Sequence, residues 1–111
     1  MKNFVQKGEV VDVTGPAGGL TSGAPHVFGV LPGVAVGDIA VGTKGAVATR
    51  GVFNLSVTGA NNTGNSAVVF GDRIYMDSGV LNKDNVDGVA FGVALGAVAA
   101  GATAVIPVKI G

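Results

Sequence analysis

Apolar residues in this chain come in short runs, and glycine interrupts them every few positions. The first run, Val10 to Thr14, predicts a strand closed by Gly15-Pro16-Ala17-Gly18-Gly19. In such a cluster proline fixes φ and glycine supplies positive φ, which is turn chemistry. A second piece, residues 27–31, ends at Pro32-Gly33, read as another turn. Residues 34–41 follow, punctuated by Gly37-Asp38 and closed by Gly42-Thr43-Lys44-Gly45. The clearest period-two pattern lies in residues 46–58, where Phe53, Leu55 and Val57 alternate with Asn54, Ser56 and Thr58. That alternation predicts one strand with a buried and a wet face.

Residues 59–66 (GANNTGNS) carry almost no apolar side chain and predict an exposed loop tip. Residues 68–70 and 73–76 flank a Gly71-Asp72 turn, and residues 77–87 read as a polar loop apart from Val80 and Leu81. The chain closes with strands over 89–95 and 104–110, joined by an Ala/Gly link. In 89–95, Val89, Phe91, Val93 and Leu95 share one parity. No long stretch keeps a 3.6-residue period with caps, so at most one short helix fits, at residues 98–102 or just after Gly33. Short strands with Gly-rich turns predict an all-β fold, a small Gly-rich β-sandwich or barrel. With 111 residues and no linker, one domain is expected over 1–111. Phe53, Leu55, Phe91, Val93 and Ile106 form the expected core.

Composition sharpens this picture in one respect. There are 20 glycines and no tryptophan, and most apolar residues are Ala and Val. Glycine weakens helices by about 1 kcal/mol per site relative to Ala, while valine suits pleated strands. Both point to strands and turns.

Charge and cysteine exclude more than they suggest. Seven cations balance seven anions without a like-charged run, so the basic patch of a nucleic-acid binder is missing. The sequence has no cysteine for disulfides, thiol catalysis or thiolate metal sites. Lys7 and Glu9 interrupt the apolar start, which argues against a signal peptide. Residues 88–108 are uncharged and carry Gly88, Gly92 and Gly96 at GxxxG spacing, a pattern also seen in packed membrane helices. Their side chains are small and alternate at period two, so a buried hairpin is expected and no membrane span.

Four constellations imitate chemistry. Residues 37–44 resemble a phosphate-binding loop, but the order is Gly-Thr-Lys where Gly-Lys-Ser/Thr is needed, and no helix is expected after it. His26 is the one histidine, too few for a metal site, and Ser22 nearby lacks a nucleophile-elbow motif. Asp84-Asn85-Val86-Asp87-Gly88 echoes a calcium loop without its closing Glu, and its Asp and Asn suit turns. The remaining aspartates, placed in turns, are expected to be solvated rather than paired for acid–base work. The sequence therefore predicts no catalytic residue, no metal site and no cofactor; a protein that works by binding, not an enzyme, is expected.

Several segments, taken in order, form a recognisable set. Met1-Lys2-Asn3-Phe4-Val5-Gln6 opens the chain, and Pro16-Ala17-Gly18-Gly19 precedes Ser22-Gly23. Gly33-Val34-Ala35 leads to Asp38 and then to Gly51-Val52-Phe53-Asn54-Leu55. Gly71-Asp72 precedes Ile74-Tyr75-Met76-Asp77, and Gly92-Val93-Ala94-Leu95 precedes a Val/Lys-containing last strand. Over nearly its whole length the chain resembles the small phage capsid cement, or head decoration, proteins. It departs from their pattern at Met76, where Trp is common, and in an Asn-rich 59–66 loop.

The resemblance implies a structural virion protein on the exterior of a tailed-phage head, made in the host cytoplasm. Its partners would be the major capsid protein and further copies of itself, as a homotrimer or alternatively a dimer. Direct nucleic-acid binding is not expected. Met1, Lys2, Asn3, Phe4, Val5 and Gln6 form a candidate arm for contact with the capsid, because an extended terminal segment can add a strand to a partner's sheet. They could equally begin the first core strand. The alternatives are a tail- or fibre-associated virion protein and a nucleic-acid-binding recombination accessory.

Overall fold

Glycine and valine sort this chain into eleven strands in the computed structural model, which describes residues 9–111. The described residues contain no helix, so neither place reserved for a short helix holds one. The strands are β1 (Val10–Thr14), β2 (Pro25–Phe28), β3 (Leu31–Ala35), β4 (Lys44–Ala48), β5 (Gly51–Thr58), β6 (Ala60–Asn61), β7 (Gly64–Asn65), β8 (Arg73–Asp77), β9 (Val80–Asn82), β10 (Val89–Ala94) and β11 (Thr103–Ile110).

Two units result. Strands β1-β4-β3-β2 form an antiparallel sheet, and β10-β11-β5-β9-β8 close into a barrel. Closure depends on one parallel pairing, Val57 of β5 against Leu81 of β9. The all-β expectation holds, and the barrel is the architecture realised. Closing the sheet removes free strand edges from this half of the molecule.

The single strand expected over 46–58 is instead two. It breaks at Thr49 and Arg50, and Gly51 takes φ 134°, a conformation open mainly to glycine. The break sends β4 to the open sheet and β5 to the barrel. Within β5 the alternation holds: Leu55 and Val57 are buried while Val52, Asn54 and Ser56 are exposed.

Pro32-Gly33 is not a turn either. It lies inside β3, and the chain reverses at Gly29-Val30 between β2 and β3. Proline is tolerated there because β4 pairs only with Val34 and Ala35, leaving the start of β3 bonded to β2 alone. The stretch read as a polar loop contains β9, and residues 59–66 hold the small β6–β7 hairpin with an exposed tip.

The barrel core gathers Leu55, Val57, Ile74, Phe91, Ile106 and Val108, joined by Val34 from the sheet. A second cluster of Ala35, Ile39 and Val47 lies in the sheet. Three expected core residues are buried: Leu55, Phe91 and Ile106. Phe53 is half-buried against the barrel core.

Val93 is a correction. A bulge between Ala90 and Gly92 shifts the register of β10 against β8, so strict alternation ends at Phe91. Beyond it Ala94 points inward and Val93 is only half-buried. The bulge needs glycine at position 92, because a Cβ there would run into the carbonyl oxygen of Lys109. The expected hairpin in 88–108 is β10 with β11. No helix of the described residues is long and apolar enough to cross a membrane.

Candidate functional site

The chemical imitations resolve into structural contacts. The ring of His26 meets Phe28 edge to face, with centroids 4.6 Å apart. Ser22 is committed to the fold: its amide donates to Asp38 Oδ1 at 2.8 Å and its hydroxyl to the Val36 carbonyl at 3.1 Å. Thr43 donates through both amide and hydroxyl to the Ala40 carbonyl, and Lys44 enters β4 rather than a helix. Among the described residues no three acidic or histidine side chains are grouped to hold a metal ion.

Asp84 is buried, and its carboxylate accepts from the amides of Val86 and Asp87, each at 3.0 Å. The Asp87 amide, aided by that of Val86 and opposed by burial, holds its carboxyl below the usual range. The segment that echoes a calcium loop is therefore a turn closed by its own aspartate.

Asp72 organises the turn expected at Gly71-Asp72. Its Oδ2 accepts from the Val69 amide at 2.9 Å and stands 3.2 Å from Lys83 Nζ. Gly71 donates to the Ala94 carbonyl at 2.7 Å, and the Ala94 amide returns to Asp72 O at 2.8 Å. These bonds fix a turn that displays Val69, 55% exposed, and Phe70, 72% exposed. Sequence patterning read both only as the segment ahead of a Gly71-Asp72 turn. The signal overlooked was an aspartate three residues after Val69, able to cap the turn with its side chain. A large apolar side chain on a prepaid turn loses little freedom on binding, as interface anchors require.

A second accessible surface lies where barrel meets sheet. Arg73, Val93 and Lys109 stand side by side across β8, β10 and β11, with Pro32 of β3 facing them. The candidate arm, Met1 to Gln6, lies outside the described residues. The described chain begins at Glu9, whose carbonyl accepts from the Thr49 amide at 2.8 Å, and runs straight into edge strand β1.

Comparison with known proteins gives the family. The family model described as phage cement protein matches residues 5–110. The chain belongs to the phage cement protein family. No curated protein and no solved structure matches it. Phage cement proteins are structural, capsid-associated components, so the surfaces above belong to a member of a structural phage family. The closed barrel and the bonded turns fit that role, because both hold surface residues in one place.

Proposed function

We propose that this cement protein docks on the outer surface of a tailed-phage head, contacts the major capsid protein and stabilises the shell against the pressure of packaged DNA. The family match across residues 5–110 carries the reading. The structure supports it with short, hydrogen-bonded loops, which reduce the entropy lost on docking. Many copies on one lattice turn modest contacts into avidity. The chain acts as a single decoration domain over 1–111 without a cofactor, self-associating as a homotrimer, with a dimer as the alternative. Residues 1–6 serve as an arm toward the capsid, an assignment favoured by their position just ahead of an edge strand.

The test is reconstitution on expanded, undecorated heads followed by cryo-EM. Density on the exterior at about one copy per capsid subunit is expected for a lattice-binding protein. Bare heads, or a few dozen copies confined to the tail, would overturn it. Removing residues 1–6 should weaken head binding more than folding; equal loss of both would place them in the folded body.

A further inference from the structure

Strand register places two cations around one apolar floor. Arg73 of β8 pairs with Val93 of β10, which pairs with Lys109 of β11. Directly paired residues face the same side of a sheet, so both cations flank Val93 on the outer wall of the barrel. Arg73 and Lys109 are exposed, and Val93 is half-buried between them. Ala90 and Gly92 extend the floor at the bulge, and Pro32 forms the opposite wall, enclosing a groove of about 440 Å³. Lys109 Nζ stands at the rim, where it donates to the backbone oxygen of Gly111 at 3.1 Å. Among the described residues, no aspartate or glutamate lines this groove.

The acids lie elsewhere. Asp77 ends β8 four residues beyond Arg73, and Asp84 and Asp87 adjoin the start of β10. Four residues of strand span about 13 Å, so these three carboxylates lie toward the far end of the barrel, while Asp72, next to Arg73 in sequence, is held by Lys83 and the Val69 amide. A second copy offering its acidic end would stack end to end, and such a contact repeats without closing. A nucleic acid is a poor fit too, since two cations separated by valine neutralise few phosphates.

We infer that the Arg73–Val93–Lys109 groove receives an extended acidic segment of a capsid protein, bearing carboxylates two residues apart. This rests on the head-binding reading and adds which face docks and what it recognises. The strands carrying the cations are two strand spacings apart, about 10 Å. Carboxylates at i and i+2 of an extended chain are about 7 Å apart, a difference the flexible Arg and Lys stems absorb. The segment's backbone covers Val93.

The test compares charge reversals that change the net charge equally: Arg73→Glu and Lys109→Glu in the groove, and Lys44→Glu on the open sheet. Co-sedimentation with undecorated expanded heads should weaken about tenfold or more for the groove variants at low salt, and the difference should shrink as salt rises. Lys44→Glu should stay within about twofold of wild type, as expected for a charge outside the contact. Equal behaviour of all three variants overturns the groove while leaving head binding intact. If the wild type fails to sediment with heads, the head-binding reading falls, and a second measurement judges the groove. Titrating the full chain with a blocked Glu-Val-Glu-Val peptide should shift the amides of Ala90, Gly92 and Val93 by NMR, and Arg73→Glu should abolish the shifts. Absent shifts, equal shifts with a Lys-Val-Lys-Val peptide, or stronger ones with a single-stranded oligonucleotide would overturn recognition of an acidic protein segment.

Discussion

Lys83 Nζ stands 3.2 Å from Asp72 Oδ2 and also donates to the Ala67 carbonyl at 3.0 Å. One lysine, just past β9, thus ties down both the approach to the Phe70 turn and the aspartate that closes it. Both side chains are about a quarter exposed, so solvent screens the charge interaction and leaves it modest. Its importance lies in geometry, because Asp72 also caps the Val69 amide. Replacing Lys83 by alanine should cost about 1 kcal/mol by urea denaturation, and hydrogen exchange at Val69 and Gly71 should rise more than exchange in β11. Uniform acceleration across the barrel would show that the lysine supports the whole fold.

Acid stability follows from two aspartates. The Val69 amide, assisted by Lys83 and opposed by burial, lowers the pKa of Asp72. The amides of Asp87 and Val86 do the same for Asp84. A carboxyl whose folded pKa lies below its unfolded value of about 3.9 binds protons more readily when unfolded. Its contribution is therefore complete above that value and is lost as pH falls through the folded pKa. Thermal melts should be insensitive to these groups near neutrality and fall below about pH 4, with a smaller fall in Asp72→Asn. An unchanged acid profile in that variant would remove Asp72 from the account.

Core and rim phenylalanines should separate cleanly. Phe91 is 3% exposed inside the barrel, so Phe91→Ala should cost about 3–5 kcal/mol. Phe53 is half-buried, and Phe53→Ala should cost less, roughly 1–2 kcal/mol. Phe70→Ser should leave stability within about 0.5 kcal/mol while weakening attachment to heads. Chemical denaturation and head co-sedimentation read the two effects separately.

Gly92→Ala tests the bulge. The added Cβ would meet the Lys109 carbonyl and approach Ile110 Cγ2 within 2.9 Å, and backbone cannot swing aside as a side chain can. A loss of about 1–3 kcal/mol is expected. Gly37→Ala, where nothing lies within 4 Å of the new methyl, is the matched control and should be near neutral. Equal melting temperatures for the two variants would mean the bulge relaxes.

The β8–β9 hairpin carries avoidable strain. Ser78 and Gly79 both adopt positive φ, 51° and 83°, between the paired residues Asp77 and Val80. That is the two-residue turn preferring Asn-Gly. Ser78→Asn should raise stability by roughly 0.5 kcal/mol; a lower melting temperature would point to a role for the Ser78 hydroxyl, which donates to Asp77 Oδ1 at 3.3 Å.

The sequence by itself determined the all-β class, the strand over Val10–Thr14, the alternation in β5 and the hairpin of β10 with β11. These depend on side-chain period and turn residues, which act over a few neighbours. It also contained enough local chemistry to read the phosphate-loop and calcium-loop imitations as turns. Tertiary structure alone decided where the chain changes partners. A Val-rich run reads the same in either sheet, so the break at Thr49 and Arg50 was hidden until β4 and β5 had different neighbours. Pro32 became a strand residue only because β4 does not reach the start of β3, which pairs with β2 alone. Val93 left the core because a bulge, set by close approach of the Lys109 backbone to Gly92, reverses the facing of β10. The same reversal put Val93 between Arg73 and Lys109. Those three residues are distant in sequence, and only strand pairing brings them to one wall.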